Sequence, residues 1–325
     1  MKLFTDKTLL ARVHLDRPLL RVLKDVTETY SIGSYVKHSL VRVGYGDLNI
    51  VLTTSKGRYF VKIFSKDKTR EQITSYLKVI QTCQKKGIPT TRLYSYRNKK
   101  VLYKNPNLCV MEFLTGKSLE NKIATKKDLL FITNFMTRIH SLKLKVAKNY
   151  DSWGTQHFLE EYKRKLPYVS AQYQTLTKQI AREFKRIDFT KFRKSLVHGD
   201  IHDEHVIRSY AGREGYKVID FETVDNGYAV VDFSIFLAML AVNPKKSTTY
   251  NQDLIKGLTD EYSKVIPVSE YERQHIPLLI LITYLMYYLS ASYEYVVNKD
   301  RTDKVKMWIM KAKKGLAHMH MHMLH

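Results

Sequence analysis

The dominant hydrophobic pattern changes from alternating to helical near Leu114, and this change limits the folds open to the chain. Residues 39–64, SLVRVGYGDLNIVLTTSKGRYFVKIF, alternate apolar and polar side chains and are rich in Val, Ile, Tyr and Phe, which is typical of β-strands. After Gly116 the apolar residues recur at helical spacing. We therefore predict an α+β protein in which a small antiparallel-β lobe, residues 1–113, precedes a larger α-helical lobe, residues 114–325.

The periodicity also predicts individual helices. Residues 17–29 form a helix ahead of the β-rich part, and residues 70–86 form another. One long polar helix is expected over residues 157–184, and two short strands are expected on either side of a turn at 212–215. The stretch 276–293 is free of charge and near the length of a membrane span, but it carries four tyrosines, and we predict a buried core helix.

The chain is strongly basic, with 55 Lys and Arg against 31 Asp and Glu and a net charge of +24. These cations lie in short clusters along the whole sequence. They could form a solvated surface, or they could attract nucleic acid, an anionic membrane or a polyanionic substrate. The net charge does not distinguish these possibilities. Cys83 and Cys109 lack metal-site spacing, and the charged N-terminus is unlike a secretory signal, so we predict a reducing, cytoplasmic location.

One segment reverses this charge. Residues 196–233 contain eight carboxylates and three cations. Asp200 and Asp220 lie at the edges of the two short strands on either side of the turn, so they are expected to lie close together. Adjacent carboxylates repel each other unless a proton or a cation lies between them, and oxygen ligands favour Mg²⁺. The sequence predicts a divalent-metal site here, with simple turn and capping carboxylates as the alternative.

Several motifs in this chain occur in the same order as in one known family. The segment HGDIHDEH, residues 198–205, resembles the HGDxHxxN loop of the aminoglycoside phosphotransferase and choline kinase family, whose members are relatives of the protein kinases. IDFE at 219–222 resembles the metal-binding segment of that family, and GYGDLN at 44–49 resembles its nucleotide loop. Further matches are the lysine strand RYFVKI at 58–63, the hinge VMEFLTG at 110–116, RIHSL at 138–142 and VVDF at 230–233.

The resemblance implies a two-lobed protein-kinase-like fold and a nucleotide site in the cleft between the lobes. Lys62 would contact the α- and β-phosphates of ATP or GTP, and Gly44 and Gly46 would let the backbone approach the nucleotide. Glu112 and Leu114 in the hinge would hydrogen-bond adenine through their main chain. Taken singly, Lys62 could be a surface lysine and GYGDLN an ordinary hairpin turn.

The same resemblance assigns roles in the acidic segment. Asp200 would accept or orient the proton of the attacking hydroxyl, and Asp220 would bind Mg²⁺, with Mn²⁺ as a possible substitute. Glu222 and His205 are the further candidate metal ligands. His140 and His198 are predicted to be structural, and Asp232 to cap a helix that starts near Phe233. A C-terminal tract of alternating His and Met, residues 318–325, either binds copper or nickel or is a terminus without function.

Three departures from the family pattern bear on this assignment. His205 stands where the family has Asn, and imidazole favours Zn²⁺ or Mn²⁺ over Mg²⁺. Ser75 or Tyr76 stands where a helix glutamate would pair with the lysine. Asp203 and Glu204 replace Pro-Gly and could bind a cationic substrate or a second metal, or they could be solvated.

The predicted function is ATP-dependent phosphorylation of a small-molecule hydroxyl. Aminoglycosides, choline-like alcohols, amino alcohols and sugars are all compatible acceptors, and the oligomeric state is left open. The alternative is a catalytically weak kinase relative that serves as a basic binding module for nucleic acid or an anionic membrane.

Overall fold

The computed structural model describes residues 5–42, 44, 46–96, 107–120, 122–209, 215–242 and 251–323. Tyr45 of the predicted nucleotide loop, most of the predicted turn at 212–215 and the side chains of the His- and Met-rich tail after Met319 lie outside the described residues.

The chain folds into two compact units. One comprises Leu3–Lys117 together with Ser209–Ile219, and the other comprises Ser118–Arg208 together with Asp220–His325. We call them the β unit and the helical unit. The domain boundary that the sequence suggests between residues 113 and 114 stays a prediction.

The secondary structure is as follows. In chain order the helices are α1 Asp6–Leu10, α2 Leu19–Thr29, α3 Arg70–Lys85, α4 Lys126–His140, α5 Phe158–Lys165, α6 Ala171–Lys185, α7 Ala229–Phe236, α8 Gln252–Ser263, α9 Glu270–Val296 and α10 Asp303–Met323. The strands are β1 Tyr35–Leu40, β2 Leu48–Thr54, β3 Gly57–Ile63, β4 Leu108–Glu112, β5 Gly116–Ser118, β6 Lys194–Val197, β7 Val206–Ser209, β8 Tyr216–Val218 and β9 Asp225–Tyr228.

The β unit contains an antiparallel sheet in the order β1-β2-β3-β4. Its strands alternate as the sequence predicts, because every second residue of β2 enters the core: Leu48, Ile50 and Leu52 are fully buried. The register sets Lys62 of β3 between Asn49 of β2 and Cys109 of β4. A strand interior holds a side chain more rigidly than a loop would, and this is the environment of the predicted lysine.

The helical unit is built around α9. This helix is long and apolar enough to cross a membrane by length and composition, but 83% of its most apolar stretch is buried inside the structure. It packs on α10, α7 and α5. α9 is therefore the interior helix of this unit, and the prediction of a core helix is confirmed.

The prediction of one long polar helix over residues 157–184 is wrong. The structure has α5 and α6, separated by a short 3₁₀ turn, Leu166–Tyr168, that contains Pro167. Proline lacks the N–H that an α-helix interior requires, so α5 ends there and a new helix begins at Ala171.

Candidate active site

A loop of residues 198–205 leaves β6 and carries most of the predicted functional side chains. Its first two residues are fixed by Asp232, whose carboxylate accepts the backbone N–H groups of His198 and Gly199, both at 2.8 Å. His140 Nε2 lies 3.0 Å from the same carboxylate. The predicted cap is wrong, because α7 already begins at Ala229 and Asp232 lies buried inside its first turn. Asp232 instead anchors the loop that carries Asp200.

The turn at Gly199 requires glycine. Its φ is +86°, and a Cβ there would lie 2.7 Å from the carbonyl oxygen of Thr223. Any side chain would therefore meet both left-handed strain and a backbone clash. The Thr223 hydroxyl donates to the carbonyl of His198 at 2.8 Å, which ties this turn to the segment after Asp220.

Asp200 lies at the centre of the loop. The Tyr287 hydroxyl of α9 donates to its Oδ1, and His202 Nε2 lies 3.6 Å from its Oδ2. Burial by itself would raise the pKa of Asp200, but the imidazoles of His202 and His205 and the Tyr287 hydroxyl outweigh it and hold the pKa below its usual range. Asp200 is therefore a carboxylate at neutral pH, the form that can accept a proton.

His205 joins Asp200 to Asp220. Its Nδ1 lies 2.6 Å from the backbone carbonyl of Asp200, so Nδ1 carries the proton and donates it. Its Nε2 lies 3.5 Å from Asp220 Oδ2. Burial would lower the pKa of His205, but the two carboxylates outweigh it and raise the pKa. The structure thus brings Asp200 and Asp220 to opposite sides of one imidazole.

Asp220 combines a left-handed backbone conformation with a carboxylate that faces His205. It adopts φ +69°, the left-handed region that few non-glycine residues occupy. The backbone N–H of Glu222 reaches its Oδ1 at 3.4 Å, and the carbonyl of Glu222 accepts from Asn149. Oδ2 faces His205 Nε2, so one carboxylate oxygen and one imidazole nitrogen form a pair that fits a divalent ion.

Lys62 pairs with a carboxylate that the sequence analysis did not single out. Its Nζ lies 3.2 Å from Asp47 Oδ2, and Lys68 Nζ lies 2.7 Å from the same oxygen. Asp47 is fully buried and also accepts the N–H of Ser65 at 2.8 Å. Lys62 and Lys68 thus both contact one oxygen of the same buried carboxylate. The sequence signal that could have predicted this pairing is the acidic residue in the predicted nucleotide loop of a basic lobe.

The other predicted nucleotide residues also lie in the β unit. Gly44 has φ +90° and accepts from the Arg12 guanidinium at 2.8 Å, and Gly46 precedes β2. Glu112 ends β4, where its carboxylate pairs with Lys217 at 2.5 Å and its N–H donates to the carbonyl of Arg92. Leu114 is half-buried in the segment that follows.

The two acids that replace Pro-Gly have partners on α10. Asp203 Oδ1 lies 3.2 Å from Lys311 Nζ, and the Glu204 carboxylate pairs with Lys304. These pairings connect the end of the loop to the last helix. They also neutralise the negative charge that Asp203 and Glu204 would otherwise offer to a cationic substrate.

Three aromatic rings lie beside Asp200. The Tyr287 ring lies 5.9 Å from that of Trp153 and 5.0 Å from that of Trp308, between centroids. Asp151 lies in the same region, where its carboxylate accepts the N–H of Trp153 at 2.9 Å. Burial, with a smaller contribution from Asp200, raises the pKa of Asp151 to about 6. The sequence motifs did not point to these residues, because Trp153 and Asp151 lie outside regular elements and Tyr287 and Trp308 follow the ordinary apolar pattern of helices α9 and α10.

A carboxylate that is charged at neutral pH, a second carboxylate beside an imidazole and a buried lysine are residue types that phosphoryl transfer uses. Residues of these types are typical of phosphotransferases. The model of the phosphotransferase enzyme family matches residues 37–267, and the chain belongs to this family. The predicted family is therefore confirmed.

Individual relatives agree with this assignment. The chain is 21% identical over 313 residues to a homoserine kinase from Agrobacterium fabrum, covering 87% of this chain and 91% of that protein. Among solved structures it resembles a microcompartment-associated aminopropanol kinase, with a TM-score of 0.69, 12% identity and coverage of 94% and 97%. It also resembles the amicoumacin kinase hAmiN in complex with AMP-PNP, Ca²⁺ and Ami, with a TM-score of 0.65, 13% identity and 96% coverage of both chains.

These comparisons confirm the predicted kinase-like fold and the predicted activity. The protein is a small-molecule kinase that transfers a phosphoryl group to a hydroxyl. Binding of a nucleotide is supported in the same way.

Proposed function

We propose that this kinase transfers the γ-phosphoryl group of ATP to the hydroxyl of a small amino alcohol, with Asp200 as the catalytic carboxylate. The observation that supports this role is the position of Asp200 on a loop anchored by Asp232, with Tyr287 on one oxygen and two imidazoles nearby. Asp200 would accept the proton of the acceptor hydroxyl as the oxygen attacks phosphorus. The hydrogen bond from Tyr287 would hold the carboxylate in place.

The metal would be held by Asp220, with Glu222 and His205 as the nearby donors. A divalent ion such as Mg²⁺ neutralises phosphate charge when bound. Asp220 Oδ2 and His205 Nε2 face each other at 3.5 Å, which supports Asp220 as the principal ligand. A divalent cation requires negatively charged ligands, and this requirement would explain why a basic protein has an acidic segment.

The nucleotide would be bound by the β unit. Lys62 and Lys68, whose ammonium groups both contact Asp47, would be the cations that approach the phosphates. Gly44 and Gly46 would allow the backbone to approach them. Because the Glu112 N–H donates to Arg92 within the unit, we assign adenine recognition to the main chain of Leu114.

The acceptor class follows from the surroundings of Asp200. Trp153, Tyr287 and Trp308 offer aromatic rings, and Asp151, with a pKa of about 6, offers a carboxylate that is mostly charged at neutral pH. Rings and a carboxylate together bind an ammonium group. Homoserine and aminopropanol, which the names of two relatives give as their substrates, are both alcohols with an amino group.

Two further expectations remain predictions. A cytoplasmic location fits Cys83 and Cys109, which are both buried thiols. Binding to nucleic acid or to an anionic membrane rests on net charge alone.

The test is a panel of matched acceptors with ATP and Mg²⁺, read by ADP release. Each amino alcohol is paired with the analogue that lacks the amino group: homoserine with 4-hydroxybutyrate, and aminopropanol with the corresponding diol. We expect the aminated member of a pair to be preferred. Asp151→Asn should raise the KM of the aminated acceptor about tenfold or more and leave the KM of the analogue without the amino group unchanged, because only the ammonium contact is lost. Equal use of both members would refute the acceptor class, and no turnover on any hydroxyl would refute the function.

A further inference from the structure

Lys165 of α5 is a buried cation that takes no part in the proposed chemistry. The residue is 1% exposed, and its Nζ lies 3.0 Å from the carboxylate of Glu161, one turn earlier on the same helix. Glu161 is buried as well. Burial of two charges is unfavourable unless further hydrogen bonds offset the loss of water. The other contacts of this pair therefore show which parts of the structure it holds together.

Lys165 links two other elements of the helical unit. Its ammonium group donates to the carbonyl of Ser152 and, at 2.8 Å, to the hydroxyl of Ser290. Ser152 directly follows Asp151 in the chain. Ser290 lies one turn after Tyr287 on α9, and Tyr287 is the hydrogen-bond donor to the proposed catalytic carboxylate. One ammonium group thus connects the segment that carries Asp151 to the helix that carries Tyr287.

Glu161 holds the residue on the other side of Asp151. The Tyr150 hydroxyl donates to Glu161 Oε1 at 2.5 Å, and the second carboxylate oxygen contacts both Arg164 and Lys165. Asp151 is therefore flanked by two residues that the same pair on α5 binds, one through its side chain and the other through its carbonyl.

We infer that Glu161 and Lys165 are positioning residues that fix Asp151 relative to Asp200 and so determine the preference for an acceptor with an ammonium group. This inference rests on the proposed role of Asp151 as the partner of that group. Residues 142–151 form neither helix nor strand, so the position of Asp151 depends on such side-chain contacts. In an amino alcohol the chain sets the distance from hydroxyl to ammonium, and a displacement of about 1 Å can lower the rate about 100-fold.

The charge of Lys165 also acts on Asp151. Burial raises the pKa of Asp151 to about 6, and the Lys165 ammonium opposes this rise. Loss of that ammonium should therefore raise the pKa of Asp151 further. The groups that face or influence the Asp151 carboxylate are the Trp153 N–H, Asp200, Lys165, Glu161 and Tyr287.

The experiment compares three variants of the full chain. Lys165→Met removes the ammonium group from a side chain of nearly the same length, and Glu161 keeps Arg164 as a cation. Tyr150→Phe removes only a hydroxyl, at a residue that is 49% exposed. The control is Lys163→Met, which removes an exposed ammonium group from the same helix.

Each protein is measured for Tm, for kcat and the KM of ATP, and for the KM of the aminated acceptor and of its analogue without the amino group. A second measurement needs no acceptor. The pKa of Asp151 is followed by NMR through its carboxyl carbon, and Asp151→Asn identifies the signal.

We expect Lys165→Met to raise the KM of the aminated acceptor about tenfold or more, and Tyr150→Phe about threefold or more. The KM of ATP and of the analogue should stay the same, because neither involves Asp151. The pKa of Asp151 should lie above about 6 in Lys165→Met, and Lys163→Met should resemble the wild type throughout. If Lys165→Met does not fold, Tyr150→Phe decides the matter.

Equal rises in the KM of both acceptors, or a lower Tm with no change in KM, would overturn the inference, because the pair would then act on the fold alone. An unchanged pKa of Asp151 in Lys165→Met would overturn it as well. A wild-type protein that uses both acceptors equally, together with the expected rise in that pKa, would refute the proposed acceptor class and leave the positioning of Asp151 by Lys165 standing.

Discussion

Replacement of Asp232 by Ala should destabilise the protein far more than loss of a helix cap would. The carboxylate is 2% exposed and accepts two backbone N–H groups at 2.8 Å, besides its contact with His140. Each buried N–H that loses its acceptor costs about 1–3 kcal/mol. Loss of a whole buried charged partner costs about 3–5 kcal/mol. We therefore expect the free energy of unfolding to fall by about 4 kcal/mol, compared with about 1 kcal/mol for an exposed cap.

The assay is thermal melting combined with turnover. A loss of this size corresponds to a fall in Tm of roughly 10 °C for a unit of about 200 residues. Turnover should fall as well, because the released N–H groups belong to His198 and Gly199, directly before Asp200. Asp232→Asn keeps one acceptor oxygen and should fall between Asp232→Ala and the wild type. Asp67→Ala, at an exposed turn, is the control and should change stability by less than about 0.5 kcal/mol.

A small effect would refute this reasoning. If Asp232→Ala melts within about 2 °C of the wild type, which corresponds to less than about 1 kcal/mol, the loop does not depend on this carboxylate. If stability falls and turnover per folded molecule is unchanged, Asp232 acts on the fold and does not position Asp200.

Three further predictions follow from the site. Asp200→Asn should lower turnover by about 10²–10⁴-fold while ATP affinity, measured by a fluorescent analogue, stays the same; equal losses in both would place Asp200 in nucleotide binding instead. Lys62→Ala should weaken ATP binding about tenfold or more, and Lys143→Ala, in the helical unit, is the matched control. The pKa of Asp151 is raised to about 6, so its charged form disfavours the fold, and stability falls as pH rises from about 4 to 6. Asp151→Asn should therefore increase the free energy of unfolding at pH 8 by about 3 kcal/mol and raise Tm, with little effect at pH 4; a lower Tm at pH 8 would contradict this.

The amino-acid sequence determined the secondary-structure pattern and the chemical identity of the site. The alternation over residues 39–64 became the hairpin of β2 and β3, and the apolar stretch 276–293 became the core of α9. Each element follows from a hydrophobic period that is visible in consecutive residues of the sequence. The motifs with Lys62, Asp200 and Asp220 were equally readable, because they are short and contiguous.

The partners of these side chains were decided by the tertiary structure. Tyr287 reaches Asp200 across 87 residues of chain, Asp232 anchors a loop that starts 34 residues earlier, and Lys311 pairs with Asp203 across 108 residues. Such pairs leave no periodic signal, because one side chain contributes one contact and its direction depends on how helices pack. The failed prediction for Asp232 has this cause. An acid near a helix start has a local explanation as a cap, and only the packing of α7 against β6 shows that its carboxylate binds the backbone of the loop that carries Asp200.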